Sequence, residues 1–418
     1  MPHGSAGAPP SYRWVVLGVS TGVNALAWGT RATFALFYVA LLEHFQWGRG
    51  ATALGYSLSW LSFVVFAPVA GWLSDRWGAR AIVLIGGGLL GLALALTAQV
   101  TSLTGYYACF GGIGGAGLAG MLVPSTTIVT QWFLRSRGTA MGVLSTGGPA
   151  SAVVFYPLIA SLITTLGWRA ALVSFGALIA AVTASLAMFY RMPARVADAA
   201  IGPARPVEFP TRQQWTLVRA LRSTRLWAAF TMTALGVIGF QIMATHQVAH
   251  AVDRGFEYTR VVWLFSLGAA CMMAGNLLGG WLSDRFGRGS IFALGTVVAI
   301  AGIGCFILLR GPQDDHLLYL YVVSAVGFGM RIAQLSTIPA DVFAGPQLGV
   351  ILGVVHAGGG LGGAIGPFLG GWLFDITGSY GAAFVAASLA VAGSAVAASH
   401  AAQPRRDRAP GARHGSTL

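Results

Sequence analysis

The hydrophobic pattern of this chain consists of long apolar runs separated by short polar loops. Twelve runs of about 20 residues can be counted, and each can cross a hydrocarbon core about 30 Å thick as an α-helix. No strands are expected, because a sheet exposed to lipid must close into a barrel, and the alternating segments of about ten residues that signal a barrel are missing. The pattern therefore predicts an all-α polytopic membrane protein. The predicted spans are 14–42, 51–73, 81–100, 106–133, 140–162, 169–189, 226–250, 261–282, 291–309, 317–343, 350–374 and 380–398.

The second pattern is an internal repeat. Residues 71–80, GWLSDRWGAR, return 209 positions later as residues 280–289, GWLSDRFGRG. Each copy ends an apolar run with a loop that holds an aspartate, two arginines and a glycine. A repeat on this scale predicts two pseudo-symmetric six-helix bundles that rock about a site between them.

The two repeated loops are candidates for a conformational switch. An aspartate and arginines at helix ends can hold two bundles together in one state and separate in the other, which makes a two-state element. The competing interpretation is that these residues only set the topology and form turns. The predicted switch residues are Gly71, Asp75, Arg76, Gly78, Arg80, Gly280, Asp284, Arg285, Gly287 and Arg288.

Five segments follow from the pattern. Residues 1–13 are predicted as a cytoplasmic tail, and residues 14–190 as the first six-helix bundle. Residues 191–225 are polar and rich in arginine and proline, which favours a cytoplasmic linker. Residues 226–400 form the second bundle, and the charged, glycine-rich residues 401–418 are predicted as a disordered cytoplasmic tail.

Composition and charge agree with a membrane location. Hydrophobic residues make up 56% of the chain and charged residues 9%, and the mean hydropathy is +0.71. The chain has no lysine, so arginine supplies all of its permanent positive charge. The net charge of +13 is not a nucleic-acid signal, because these arginines are sorted by side. With loops alternating from a cytoplasmic N-terminus, 18 arginines fall inside and five outside, which places both termini in the cytoplasm. The absence of lysine indicates a GC-rich bacterial genome and hence the bacterial inner membrane as the location.

Several other functions are excluded by what the chain contains. Cys109, Cys271 and Cys305 lie in separate apolar runs, which predicts small packing residues rather than disulfides or metal ligands. No removed signal peptide is expected, because the N-terminus lacks a basic region and the first run is too long. The glycine strings at 111–115 and 358–363 follow no strand, so they predict close helix packing and not phosphate loops.

Two arginines lie deep in predicted spans. Arg31 lies in the outer half of the first span and Arg331 in the middle of the tenth. A charge at such depth costs at least about 2.5–3.5 kcal/mol on insertion scales, so it is a functional candidate. No aspartate or glutamate lies at comparable depth, which favours a cavity for an anion. The alternative for Arg31 is a side chain that extends to the outer interface.

At this point the chain resembles a known family. Two sets of six spans, with a G-x-L-x-D-R-x-G-x-R loop after the second and its copy after the eighth, are similar to the major facilitator superfamily. Within it, the chain looks most like bacterial relatives of the monocarboxylate porters and oxalate/formate exchangers. The segments that carry this second resemblance are 132–142, 167–169, 366–367 and 375–380. The resemblance implies that Arg31 matches a cationic binding residue of the first helix.

The chain also departs from that family. The porters and exchangers usually carry an arginine in the eighth helix, often with an aspartate nearby, whereas residues 271–276 hold no charge. Asn276 is the polar residue there, and Arg331 is expected to replace the missing cation. The resemblance therefore implies a binding site without the aspartate that would take the coupling proton.

Proton coupling then falls to histidine. His246, His250 and His356 lie in the seventh and eleventh spans, and histidine titrates near physiological pH. His246 and His250 share a helix face with Asp253, so a metal site is one alternative and a hydrogen-bonded outer gate is another. The predicted substrate-binding residues are Arg31, Arg331, Asn24, Trp28, Tyr56, Gln241, Asn276, Gln334 and His356.

These observations predict a secondary active transporter of small organic anions, working as a monocarboxylate:proton symporter by alternating access. The alternatives are an anion exchanger of the oxalate/formate type and, less favoured, a drug or cation exporter, for which no deep acid is present. An enzyme is not predicted, and neither is a cofactor or a bound metal. The expected partners are the anion, protons and the lipid bilayer, and the protein is expected to be a monomer.

Overall fold

The computed structural model describes residues 10–133, 137–191, 215–343 and 348–402, and these residues are almost entirely helical. Short 3₁₀ turns lie at Pro10–Tyr12 and Pro312–Asp314, and a π-helical segment at Tyr107–Ile113. The α-helices are α1 Arg13–Phe45, α2 Arg49–Trp77, α3 Ala79–Thr97, α4 Leu103–Tyr106, α5 Gly114–Trp132, α6 Arg137–Ser145, α7 Gly147–Ala187, α8 Leu217–Leu221, α9 Thr224–Asp253, α10 Tyr258–Phe286, α11 Arg288–Ile307, α12 Asp315–Val342, α13 Leu348–Thr377 and α14 Gly381–Ala402.

The predicted all-α membrane fold is confirmed. In the described ranges, eleven helical segments are long and apolar enough to cross a membrane. One of them, Ala140–Ala187, has 48 residues and changes direction at Gly167, where φ is 80° and ψ is 159°. It accounts for the fifth and sixth predicted spans, so the eleven segments correspond to twelve crossings.

Helices pack within each half through glycine. A Cβ atom added to Gly86 of α3 would lie 2.6 Å from the carbonyl carbon of Gly120 in α5. At the equivalent place in the second half, a Cβ atom on Gly295 of α11 would lie 2.8 Å from the carbonyl oxygen of Gly327 in α12. Small residues are what allow membrane helices to approach this closely, because lipid supplies no hydrophobic driving force between them.

The sequence repeat is also a repeat of backbone geometry. Gly78 ends α2 with φ 84° and ψ 151°, and Gly287 ends α10 with φ 88° and ψ 144°. Only glycine adopts this region readily, so the glycine of each repeated loop is required by the turn that links one span to the next.

The molecule has two ends, which we name by the repeated loops. The loop end holds residues 76–80 and 285–289, together with the start of α1 and the end of α14, and the far end lies opposite. The halves α1–α7 and α9–α14 meet through α1 with α9, α2 with α13, and α7 with α10. Contacts between the two halves lie in the far part of the molecule, so the molecule is closed at the far end.

Candidate functional site

Arg31 lies near the middle of α1, inside a cage of aromatic rings. Only 5% of the residue is exposed. Its guanidinium carbon lies 3.7 Å from the ring centroid of Trp60, 5.5 Å from Phe63, 5.9 Å from Tyr56 and 6.0 Å from Trp28. The negative faces of such rings attract a cation, so the cage offsets part of the cost of removing the guanidinium from water.

The hydrogen bonds of this guanidinium are not satisfied by the cage. Among the described residues, no group forms a hydrogen bond of normal geometry with Nε, Nη1 or Nη2 of Arg31, and the Tyr56 hydroxyl is the polar group that interacts with the guanidinium. A buried charge normally acquires a partner, because leaving it unpaired is costly. The five donors of an arginine form a planar fork that matches a carboxylate, so the site suits an anion of that kind.

A cavity adjoins Arg31 within the first half, between α1, α2, α3 and α5. Its polar part is formed by Arg31 with Thr30, Tyr56 and Ser59. Its apolar part is lined by Leu90, Leu94, Phe110, Gly114 and Leu118. The arrangement places one cation beside hydroxyl groups at one side of an otherwise apolar lining. The space between them is about 10 Å³, the size of one water molecule, so it would have to widen to admit a carboxylate.

Two residues of α2 join this site to the second half. The hydroxyl oxygen of Tyr56 accepts a hydrogen bond from Nε2 of Gln241 in α9, at 3.2 Å. The ring of Trp60 packs on Gly363 of α13, where an added Cβ atom would lie 2.4 Å from the indole. Of the predicted binding residues, the structure therefore brings Arg31, Trp28, Tyr56 and Gln241 together at the boundary between the halves.

The structure does not bring Arg331 to this site. Its side chain is buried in the second half, with the guanidinium carbon 4.8 Å from the ring centroid of Phe292 in α11. Its Nη2 donates to the carbonyl oxygen of Val391 in α14 at 3.5 Å. The depth of an arginine can be read from the sequence, but the direction of its side chain around the helix is set by packing. The two arginines therefore do not share one cavity in this structure.

Three other predicted binding residues make contacts within their own half. Asn24 donates to the carbonyl oxygen of Ser20, one turn earlier in α1, at 3.3 Å. Gln334 donates to the carbonyl oxygen of Gly279 in α10 at 3.2 Å, which links α12 to α10. Asn276 is half-buried on α10, where its backbone packs against Gly329 of α12.

The histidines differ in access. His246 is fully buried, and its Nε2 donates to the carbonyl oxygen of Pro367 at 2.8 Å. His250 donates in the same way to Phe306 at 3.2 Å. His356 is exposed. It lies one turn before Gly360 and two turns before Gly363, so it shares the face of α13 that packs on α2.

The predicted metal alternative gains no support. Asp253 forms an ion pair with Arg49 rather than with a histidine, at 2.7 Å. Across the described residues, no group of three or more histidine, cysteine or carboxylate side chains is arranged to hold a metal ion. Cys109, Cys271 and Cys305 are free cysteines.

A cluster at the far end includes Asp253, which the outer-gate alternative named, but its central residue, Arg49, was not predicted to act there. Arg49, at the start of α2, pairs with Asp253 of α9, donates from Nη1 to the Tyr380 hydroxyl oxygen at 2.6 Å, and lies 4.0 Å from the ring centroid of Phe374. Asp375 of α13 accepts from the backbone amide nitrogens of Arg49 and Gly50, at 2.8 and 2.7 Å. The sequence signal was an arginine on the arginine-poor side of the membrane, which the topology argument counted but did not use.

The loop of the second half holds its own ion pairs. Arg288 pairs with Asp284 at 2.7 Å and with Asp341 of α12 at 3.3 Å. These pairs lie within one half. In the first half, Arg76 lies over the ring of Trp72 at 5.7 Å. The switching role of both loops stays a prediction, because it concerns a state in which the loop end is closed.

Comparisons with known proteins agree on one family. A family model described as Major Facilitator Superfamily matches residues 17–337 and 259–416. Monocarboxylate transporter 11 of Mus musculus is 31% identical over 397 residues, covering 92% of this chain and 86% of its own length. Monocarboxylate transporter 11 of Homo sapiens is 29% identical over 401 residues, covering 93% and 83%. Monocarboxylate transporter 13 of Rattus norvegicus is 28% identical over 406 residues, covering 93% and 89%.

Solved structures give the same fold. A bacterial homolog to the human lysosomal transporter Spinster, in an inward-facing and occupied conformation, superposes with a TM-score of 0.75 at 15% identity. The match covers 94% of this chain and 97% of that one. The nucleoside transporter NupG superposes with a TM-score of 0.70 at 15% identity, covering 94% and 100%. At these identities the likeness concerns the fold alone.

Proposed function

This chain belongs to the major facilitator superfamily and is a membrane transporter related to monocarboxylate transporters, and we propose that it carries a small monocarboxylate together with a proton. The observation that carries the proposal is the buried guanidinium of Arg31, whose three nitrogen atoms lack hydrogen-bond partners of normal geometry among the described residues. The carboxylate of the substrate supplies those partners. An arginine suits this role because its fork can bond both carboxylate oxygens.

A single negative charge is favoured over two. One cation borders the cavity, and the lining beyond the hydroxyl groups is leucine, phenylalanine and glycine. Arg331 is held against Phe292 in the other half and does not add a second charge there. A dicarboxylate would have to place its second carboxylate against apolar side chains, and the free-energy cost of removing that charge from water would exceed the gain from binding.

Alternating access supplies the route. The far end is closed by contacts between the halves, such as the ion pair of Arg49 with Asp253. The arginine distribution predicts that the loop end faces the cytoplasm, so we assign the far end to the outside. The arrangement then corresponds to the state that exchanges substrate with the inner side, and opening of the far end returns the site to the outside.

For the proton we assign His356. It lies on the face of α13 that packs on α2 and is exposed, whereas Nε2 of His246 and of His250 is engaged with a backbone carbonyl. A coupling group must exchange protons with water while the substrate site is open to the same side. His356 meets that requirement in this state.

The test is uptake of labelled monocarboxylates and dicarboxylates into proteoliposomes, with and without an inward proton gradient. We expect gradient-driven monocarboxylate uptake that falls at least tenfold in Arg31→Gln, with partial recovery in Arg31→Lys because lysine keeps the charge but loses the fork. Arg31→Gln removes an unpaired buried charge, so its melting temperature should hold or rise, which separates lost binding from misfolding. Arg260→Gln is the matched control, because Arg260 is an exposed far-end arginine.

The coupling arm uses His356→Gln. We expect this variant to lose stimulation by the gradient while it still exchanges internal for external anion. If uptake by the wild type also requires an anion inside the vesicle, the protein is an exchanger instead of a symporter. Uptake by Arg31→Gln at the wild-type rate would refute the anion site as proposed. Uptake of dicarboxylates at the same rate as monocarboxylates would refute it too.

A further inference from the structure

Trp60 is held between the two halves in an unusual position. One face of its indole lies on the Arg31 guanidinium, with 3.7 Å between the guanidinium carbon and the ring centroid. The ring also packs on Gly363 of α13, where an added Cβ atom would lie 2.4–2.7 Å from three ring carbons. The indole Nε1 has no hydrogen-bond partner among the described residues. Trp60 is therefore positioned by packing and by attraction to the cation.

Trp60 lies between Arg31 and α13, on the path by which a substrate would approach Arg31 from the second half. A guanidinium presents its two flat faces to aromatic rings and its edge to carboxylate oxygens, so the indole occupies one face and narrows the approach to the edge from that side. Arg31 is only 5% exposed in this arrangement. An anion that approaches Arg31 from the boundary between the halves has to move the indole or arrive before it is in place.

The helix behind Trp60 belongs to the moving half. Gly363 and Gly360 of α13 lie against Trp60 and Val64 of α2, and at each position a side chain would occupy space that the other half already fills. Ser57, further along α2, accepts a hydrogen bond from the backbone amide of Phe368 at 3.2 Å. When the far end opens, α13 must leave α2, and Trp60 then loses the surface that presses it towards Arg31.

We propose that Trp60 is a displaceable cap on Arg31, closed by α13 through Gly363 when the far end closes. This inference rests on the proposed function, since it assigns to Trp60 the control of the same anion site. Closing the far end places the indole on the guanidinium and weakens the hold on the anion, which leaves towards the loop end. Opening the far end frees the cap and exposes the cation to anion from that side.

The first experiment measures the closed state without reference to any substrate. Spin labels at Glu43→Cys and Thr259→Cys, two exposed far-end positions on opposite halves, report the distance across that end by pulsed electron resonance. The background replaces the native cysteines with alanine; these are Cys109, Cys271 and Cys305.

Gly363→Ala should lengthen this distance, because its methyl group would overlap the Trp60 ring. Gly353→Ala is the matched control on the same helix, since an added Cβ there meets nothing within 4 Å. An unchanged distance in Gly363→Ala, or an equal change in Gly353→Ala, would overturn the contact on which the cap depends.

The second experiment measures anion affinity in detergent with the labelled monocarboxylate that the uptake panel identifies. Trp60→Leu removes the ring that must be displaced and should bind the anion about ten- to thirtyfold more tightly, while net transport slows. Trp60→Phe should stay near the wild type because a ring is retained. Unchanged or weaker binding in Trp60→Leu refutes the cap and leaves Arg31 as the site. Absence of binding in the wild type itself refutes the proposed function, and the cap with it.

Discussion

Replacing Arg49 with glutamine should open the far end. In the structure its guanidinium pairs with Asp253 of α9 at 2.7 Å, donates to the Tyr380 hydroxyl, and stacks on Phe374 of α13 at 4.0 Å. One side chain of the first half therefore holds two helices and a loop of the second. Burial raises the pKa of Tyr380 to about 12, so its hydroxyl stays neutral and Asp253 is the anionic partner.

The magnitude follows from how exposed these groups are. The side chains of Arg49 and Asp253 are 19% and 37% exposed, so water screens their pair and we assign it about 1 kcal/mol rather than the ~3 kcal/mol of a shielded one. The stack on Phe374 adds about 0.5–1 kcal/mol. The bonds from Asp375 to the backbone are kept, because glutamine retains that amide. The closed state should lose about 2 kcal/mol, which shifts the equilibrium roughly thirtyfold.

The assay is the rate at which a membrane-impermeant maleimide labels Ser57→Cys in the cysteine-free background. Ser57 is buried under α13, 3% exposed, so the rate reports how often the far end opens. We expect Arg49→Gln to raise it about thirtyfold. Arg260→Gln is the control, since that far-end arginine pairs with Asp315 inside one half. Labelling at the unsubstituted rate, or an equal rise in the control, would refute this account of closure.

Three further outcomes are expected. Gly287→Ala should lower the free energy of unfolding by about 1–3 kcal/mol, because its φ of 88° suits only glycine. Gly88→Ala is the control and should not lower it, because a Cβ there meets nothing within 4 Å. The melting temperatures of the two variants are compared. Gly275→Ala should destabilise more severely, since its Cβ would lie 2.1 Å from the Val326 carbonyl oxygen, and a soluble, fully stable variant would contradict the packing. Asp341→Asn removes a partly exposed partner of Arg288 and should cost at most about 1 kcal/mol by the same melting assay, less at high salt.

Part of the candidate site followed from the sequence. Arg31 stands out because a charge in a long apolar run is costly, and that argument needs no neighbours. Tyr56 and Gln241 were named as polar residues within spans, and the structure joins them across the halves at 3.2 Å. Arg331 satisfied the same argument and yet faces Phe292 in its own half. The sequence gives the depth of a residue along a helix but not the direction of its side chain around the helix axis.

The residues that sequence reasoning missed depend on how the halves dock. Trp60 is one of 13 tryptophans, and nothing local marks it as the ring that covers Arg31. Gly363 stood in a glycine string that predicted close packing without naming the partner. Arg49 was counted for topology alone. A signal existed for each, but its meaning required knowing which helices of the two halves meet.

By itself, the sequence determined the class of fold, the number of membrane crossings, the two-fold repeat and the presence of two deep arginines. These properties follow from the thickness of the bilayer, the cost of burying charge and the backbone demands of a turn, all of which act on a segment without reference to the rest. Only the tertiary structure decided which arginine lies at the boundary, which end is closed and what covers the site. Those depend on helix rotation and on docking between bundles, where many small contacts compete and no single stretch of sequence sets the result.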